Sequence, residues 1–257
     1  MRRLFLSVGV ALALVTQPAA APQSTAVIVE LFTSEGCSSC PPADTLLDRL
    51  VSSPPAGGAE IIGLGQHVDY WDQLGWKDRF SSAALTSRQR LYAARFNNKS
   101  IYTPQMVVDG RAEFIGSDAA AARKAIEGAL AARHAAVRIA VEAAAADRIG
   151  VSVAVSELPA VGKGDRADII VAVTEDRLRS EVKRGENRGR TLAHASVVRH
   201  MTTVGEAVAA GPSSVRADLA IGSDWQRDNL KIVAFVQERR GRTILGSAVV
   251  PLTSVRR

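Results

Sequence analysis

Val27-Ile28-Val29-Glu30-Leu31-Phe32-Thr33-Ser34-Glu35-Gly36-Cys37-Ser38-Ser39-Cys40-Pro41-Pro42-Ala43-Asp44-Thr45-Leu46-Leu47-Asp48-Arg49-Leu50-Val51 joins an apolar run, a cysteine pair and a leucine-bearing segment. Val27 to Phe32 is short, rich in β-branched residues and almost wholly apolar, which predicts a buried strand. Leu46, Leu47 and Leu50 recur at helical spacing and predict a helix over 44–51. Cys37-Ser38-Ser39-Cys40 therefore lies between a strand and a helix. A lone C-x-x-C serves a dithiol/disulfide site, half of a zinc site, or neither. Zinc takes four protein ligands, or three and a water. The chain has no further cysteine, and none of its four histidines is near the pair in sequence. The strand–C-x-x-C–helix order suits a dithiol/disulfide site, because a tight turn at a helix head lets two sulfurs reach bonding geometry. No metal and no cofactor is called for.

Outward from this stretch, Ile61 to Val68 reads as a second strand. Ala83 to Phe96 reads as a helix with an inward stripe of Leu85, Leu91, Tyr92 and Phe96. Gln105 to Val108 is a strand, Asp109-Gly110 a hairpin signal, and Arg111 to Ile115 the returning strand. Ser117 caps an Ala-rich helix that runs to about His134. The order is β-α-β-α-β-β-α. Beyond His134 the pattern changes to alternation, as at Val137, Ile139 and Val141, then Ile149, Val151, Val153 and Val155. About seven strand-like runs follow, which predicts an all-β sandwich of the immunoglobulin or fibronectin kind. The expected domains are residues 27–134, α/β, and 135–257, β-sandwich, behind a leader of residues 1–26.

That leader has the order of a secretory signal: Arg2-Arg3, an apolar stretch from Leu4 to Val15, then Ala19-Ala20-Ala21. The expected location is periplasmic or secreted, and an uncleaved leader would be the chain's contact with a membrane. An oxidising compartment bears directly on a cysteine pair. Composition excludes other classes. The chain of 257 residues is 47% apolar and 23% charged, a globular mix, with 32 basic against 26 acidic residues. The basic excess lies in residues 135–257, which carry 19 basic and 14 acidic residues. Acids are interspersed with it and aromatics are sparse, so nucleic acid is not an expected partner.

A second signal is Tyr102-Thr103-Pro104-Gln105-Met106-Val107, a proline at the head of a strand, a place where the preceding bond is often cis. Strand, C-x-x-C, helix, strand, helix, Thr-Pro, hairpin and helix together resemble the thioredoxin fold. The resemblance implies that Thr103 and Pro104 flank the cysteines and hold a substrate strand. It also implies that Cys37 attacks, Cys40 resolves, and Glu30 is a buried carboxylate taking the proton of Cys40, while the residues alone equally suit a Glu30 that faces solvent or pairs with a Lys or Arg. A closer resemblance is to DUF1223, a family of exported bacterial proteins of unknown function. It is carried by Val29 to Asp44, by His67-Val68-Asp69-Tyr70-Trp71-Asp72 and Leu74-Gly75-Trp76-Lys77-Asp78, and by Tyr102 to Val108. Gly185 to Leu192, Phe235-Val236-Gln237 and Ile244-Leu245-Gly246 extend it through the second half.

The departures from ordinary thioredoxins are local. Glu35-Gly36 precedes the first cysteine, and Pro41-Pro42 follow the second. The prolines remove two N–H donors and Glu35 adds negative charge, so little stabilises a Cys37 thiolate. The expected potential is nearer thioredoxin's roughly −270 mV than DsbA's roughly −120 mV, with Cys37 the more exposed sulfur. Trp71 and Trp76, with His67, Asp69 and Tyr70, read either as the wall of a substrate groove or as a packed cap over the sheet with His67 hydrogen-bonded in it. His194 and His200, six apart, are expected to share one side of a single strand in a structural or surface role. Arg184, Glu186, Asn187, Arg188 and Arg190 read as a charged turn or a docking loop. The leading function is an exported thiol–disulfide oxidoreductase acting on a protein or small-thiol substrate. The alternative is a non-catalytic envelope binding module with a structural Cys37–Cys40 disulfide.

Overall fold

A computed structural model describes residues 25–53, 59–145 and 147–254. Residues 1–24 of the expected leader, and 54–58 of the Pro/Gly-rich loop, lie outside the described residues. The first half runs β1 (Ala26–Thr33), α1 (Pro41–Ser52), β2 (Glu60–His67), α2 (Ala83–Phe96), β3 (Gln105–Val108), β4 (Ala112–Ile115) and α3 (Ala119–Leu130). The second half is β5 (Ala136–Ala145), β6 (Arg148–Ser156), β7 (Ala167–Glu175), β8 (Leu178–Glu181), β9 (Thr191–His194), β10 (Val197–Ala207), β11 (Ser213–Ala220), β12 (Leu230–Glu238) and β13 (Ile244–Pro251). The protein is mixed α/β, with one large sheet and few helices.

That sheet has eight strands in the order β13-β12-β7-β10-β2-β1-β3-β4. β1 and β2 run parallel, β3 is antiparallel to β1, and β4 is antiparallel to β3. The boundary placed near residue 134 falls between α3 and β5, and the sheet passes across it. β10 joins β2 through Val197 and Gly65, reinforced by Gly65 N–H donating to the Ser196 carbonyl at 2.8 Å. β5, β6 and β11 form a separate antiparallel sheet, and β8 and β9 a two-stranded one.

Side-chain alternation along β1 sorts the core. Val27, Val29 and Leu31 pack with Ala43 and Leu47 of α1 and with Ala122 and Ile126 of α3. Ile28 points to the other face and packs with Ile62, Leu64, Leu85, Ile170, Val233 and Phe235, so this core is drawn from both halves. A third core lies where Val137, Val151 and Val153 meet Ile169, Val171 and Ile232.

Several local expectations are corrected. The cap of α3 is Asp118, whose Oδ1 accepts from the Ala120 and Ala121 N–H groups, and the helix stops at Leu130. Leu91 is 52% exposed, because α2 turns Arg88 and Gln89 inward instead. The run over 192–204 is two strands. They are broken at Ser196, which has φ 51° and whose N–H is held by Asp176 Oδ1 at 2.9 Å. His194 on β9 is therefore buried while His200 on β10 is exposed, and the two do not share a strand.

Candidate functional site

β1 delivers the chain to a tight turn. Cys37 N–H donates to the Ser34 carbonyl at 3.1 Å and Cys40 N–H to the Cys37 carbonyl at 3.2 Å. The carbonyl of Cys40 then accepts from Ala43 and Asp44, which starts α1. Pro41 and Pro42 occupy its first positions, where a missing N–H costs no intrahelical bond. Cys37 and Cys40 form a disulfide with 5.5 Å between Cα atoms. The expectation that Cys37 is the more exposed sulfur does not hold: both cysteines are 0% exposed, while Ser38 and Ser39 between them are exposed.

The Thr103–Pro104 bond is cis, and Pro104 is buried beside the head of α1. Gly116 marks the junction, since a Cβ there would lie 3.1 Å from Pro104 Cβ and 3.2 Å from Ala43 Cβ. Trp71 links the two segments. Its Nε1–H donates to Thr103 Oγ1 at 2.9 Å, and its Cβ lies 3.1 Å from where Gly36 would carry one. Trp76 instead turns to Glu35, with Nε1–H donating to Oε2 at 2.6 Å. The structure thus brings Cys37, Cys40, Thr103, Pro104, Trp71 and Trp76 together.

Glu30 is elsewhere. It sits on β1 between Val29 and Leu31, so the pleat sends it to the face away from α1. Arg88 grips both carboxylate oxygens, at 2.6 and 2.9 Å, while Tyr92 and Gln66 also donate to them. Gln237 accepts from Arg88 at 3.0 Å and ties the network to β12. A carboxylate held by a bidentate guanidinium, a phenol and an amide is a structural anchor, not a free proton acceptor for Cys40.

The polar groups on the cysteine side are different ones. Thr33 and His67, at the ends of β1 and β2, lie near Asp44 of α1. His67 Nδ1–H donates to Asp78 Oδ2 at 2.6 Å, and the same oxygen accepts from Glu35 N–H at 2.9 Å. Burial works to lower the pKa of His67, but the Asp78 carboxylate overrides it and the value rises. For Asp78 burial is the largest influence and raises the pKa, but the His67 charge and hydrogen bond, joined by the Glu35 and Phe80 N–H groups, leave it lowered. His194 Nε2 lies 3.4 Å from Glu35 Oε1, and its ring stacks edge-on to His67 and Phe80. Glu35 is buried, which would raise it, yet His194 and Trp76 hold it below its ordinary value. Half-buried Asp44 is pushed up by burial. His194 Nδ1 finds no hydrogen-bond partner among the described residues. His194 also lines a cleft of about 570 Å³ between α1 and the β8–β9 hairpin, with Asp44, Asp48, Arg179 and Lys231. Among the described residues no group of three His, Cys, Asp or Glu side chains is arranged to hold a metal ion.

The β8–β9 hairpin covers the disulfide. Asn187 is 0% exposed, and its Nδ2 donates to the carbonyls of Glu35 and Cys37, each at 2.9 Å. Arg190 donates to Asn187 Oδ1 at 3.0 Å and fixes the amide's orientation. Glu186 Oε2 accepts from Ser38 N–H at 3.0 Å, and the Ser38 hydroxyl, with this N–H, holds the Glu186 pKa below its ordinary value. Gly185, at φ 76°, closes on Trp76, where a Cβ would lie 3.1 Å from the tryptophan's own. The charged turn is therefore a lid on the cysteine turn, contacts that sequence separation of about 150 residues hides.

The family model described as "Protein of unknown function (DUF1223)" matches residues 28–237. The chain is similar to the crystal structure of protein AGR_C_4864 from Agrobacterium tumefaciens. Identity is 26% and the TM-score 0.65, over 92% of this chain and 99% of that one. It also resembles HBP35 of Porphyromonas gingivalis in fold, at 13% identity and TM-score 0.64, over 90% of this chain and 76% of that one. Comparison with the curated proteins finds no match.

Proposed function

We propose a thiol–disulfide oxidoreductase function for this chain, which belongs to the DUF1223 family of proteins of unknown function. One observation carries the reading: a C-S-S-C disulfide heads α1 directly beside the Thr103–Pro104 segment, with Trp71 bridging the two. Residues 27–134 are read as a thioredoxin-like unit, supported by parallel β1 and β2 flanked by antiparallel β3 and β4. Residues 135–257 are read as a β-sandwich that shares its larger sheet with that unit. The proposed location is the periplasm or the exterior, supported by Arg2-Arg3 and the apolar Leu4–Val15 stretch. Among the described residues no helix is long and apolar enough to cross a membrane.

In the reducing direction the Cys37 thiolate attacks a substrate disulfide. A Cys37–substrate disulfide forms and the first substrate sulfur leaves as a thiolate. Cys40, deprotonated, then attacks Cys37 Sγ, which forms the Cys37–Cys40 bond and releases the second substrate thiolate. Two electrons pass to the substrate, and the two thiol protons of the pair end on its two sulfurs. A dithiol donor of the envelope restores the pair by the reverse exchange. Asp44, one turn along α1 from Cys40, is read as the carboxylate that takes the proton of Cys40 in place of Glu30. Thr103 and Pro104 hold the substrate strand, and Trp71 orients Thr103.

The test is Cys40→Ser mixed with oxidised glutathione. The expected result is a glutathione adduct on Cys37, found by mass spectrometry of folded protein. The alternative, a binding module with a structural disulfide, is favoured by the zero exposure of both cysteines. Absence of any adduct, with a wild-type disulfide that resists dithiothreitol until the protein unfolds, would establish that alternative.

A further inference from the structure

We infer that the tip of the β8–β9 hairpin, residues 183–190, is an autoinhibitory strap whose release exposes Cys37 to its substrate. The inference rests on the oxidoreductase reading and adds its regulation. Disulfide exchange needs an attacking sulfur in line with the S–S bond, and two fully buried cysteines offer no such approach. The strap is bonded to the backbone of that same cysteine turn.

Its contacts fall on backbone groups of the cysteine turn. Asn187 occupies the carbonyls of Glu35 and Cys37, and Glu186 occupies the N–H of Ser38. Backbone donors and acceptors of this kind are what an extended peptide pairs with, and here they flank Cys37. The strap therefore stands in for a substrate, and strap and substrate compete for one surface. It is also built to move apart from the rest. Among the described residues β8 and β9 pair only with each other, outside both larger sheets, and a lone two-stranded hairpin is marginal in water. The stem stays put, because Leu178 packs with Phe80 and Val197 and because His194 stacks on His67. The tip turns on Gly185 and Gly189, both at positive φ, and holds the protein through Glu186, Asn187 and the Gly185–Trp76 contact. Apart from Asn187, tip residues 183–190 are exposed. Opening the tip costs few apolar contacts, which makes it a low-energy local motion.

The experiment measures reduction of the Cys37–Cys40 disulfide by dithiothreitol in the folded full chain, followed by alkylation and mass spectrometry. Circular dichroism confirms that the fold persists at each point. Asn187→Asp sets a carboxylate against two carbonyls and removes two hydrogen bonds. Reduction is expected to quicken on the order of tenfold to hundredfold over wild type. Glu186→Ala removes one exposed bond, and its expected acceleration is a few-fold. It also keeps the test alive if Asn187→Asp prevents folding. Equal, rapid reduction in wild type and both variants would overturn the strap and leave the oxidoreductase reading standing. Resistance in all three until the protein unfolds would overturn both.

Discussion

β1 carries a buried polar group on each face, and the two surroundings differ in kind. On the α2 face the Glu30 carboxylate meets Arg88, Tyr92 and Gln66, and both its oxygens are taken. On the α1 face Thr33 Oγ1 and His194 Nδ1 lack hydrogen-bond partners among the described residues. The first group is a closed anchor that ties α2 to β12 through Gln237. The second is a partly open arrangement beside a disulfide and a hairpin lid. Buried polarity alone does not mark a reactive site. Orphaned polar atoms occur on the Glu30 side as well, at Gln66 Oε1 and Asp109 Oδ2, so what distinguishes the cysteine side is its place beside a disulfide.

The largest effect should fall on the anchor. Arg88→Ala leaves the Glu30 charge buried without its cation, which costs about 3–5 kcal/mol. Urea unfolding of the variant is the measurement, and a loss under about 1 kcal/mol would show that Glu30 is not held as described. The cysteine chemistry of whatever fraction remains folded should be unchanged, because the anchor faces away from α1.

A pH series separates the faces further. Asp109 lies on the Glu30 side, where its Oδ1 accepts from Ile28 N–H at 2.8 Å, and burial with help from Glu30 pushes its pKa to about 7. The unfolded value is 3.8, so between these values the folded state holds the proton and the unfolded state does not. Stability from this group is thus complete below about pH 4 and is lost as pH rises to about 7. Asp109→Asn should remove that slope and raise stability at pH 8 by about 2–4 kcal/mol. An unchanged slope would contradict the assignment.

The cysteine side has a different profile. The lowered pKa of Asp78 gives stability present above its unfolded 3.8 and lost as pH falls through the folded value. The raised pKa of His67 gives stability present below its unfolded 6.5 and lost as pH rises through the folded value. Asp78→Asn should abolish both limbs, leaving the acid limb of the difference curve flat in pH-dependent thermal unfolding. A variant as acid-sensitive as wild type would move the acid linkage to another carboxylate.

The smallest effect is at Trp71. Trp71→Phe keeps the Cβ beside Gly36 and loses the bond to Thr103 Oγ1, at a cost of about 0.5–1.5 kcal/mol. Exchange with a peptide disulfide should slow more than exchange with glutathione, since Thr103 is read as a support for substrate backbone. Equal slowing of both would assign Trp71 to stability alone.

Much of the scaffold around the site was legible. The bounds of α2 and β3 coincide with those read from periodicity and the Asp109-Gly110 turn. The cysteine turn and Thr103-Pro104 were visible because both are local signals. The choice between a cysteine-side and an Arg-paired Glu30 was not legible because Val27 to Phe32 is buried on both faces, so apolar alternation along β1 gives no parity to say which way residue 30 points. Asn187 and His194 were missed as site residues for another reason. Each reaches the cysteine turn across about 150 residues of chain, and no periodicity encodes such a contact. The two histidines looked like neighbours on one strand because Ser196 carries no visible mark of a break. The charged turn does hold one usable sign, Gly185 and Gly189 framing Glu186 and Asn187, which suits a tight, positive-φ tip.

The central claim, that the Cys37–Cys40 bond exchanges in the folded protein, is tested most directly by titrating the full chain in glutathione buffers. Thiol content is read by alkylation and mass spectrometry, and fold by circular dichroism. The expected result is one reversible two-electron transition without unfolding, at a potential nearer about −270 mV than about −120 mV, because ionised Glu35 and the Pro41-Pro42 pair leave a Cys37 thiolate little support. A disulfide that opens only as the fold is lost would contradict it.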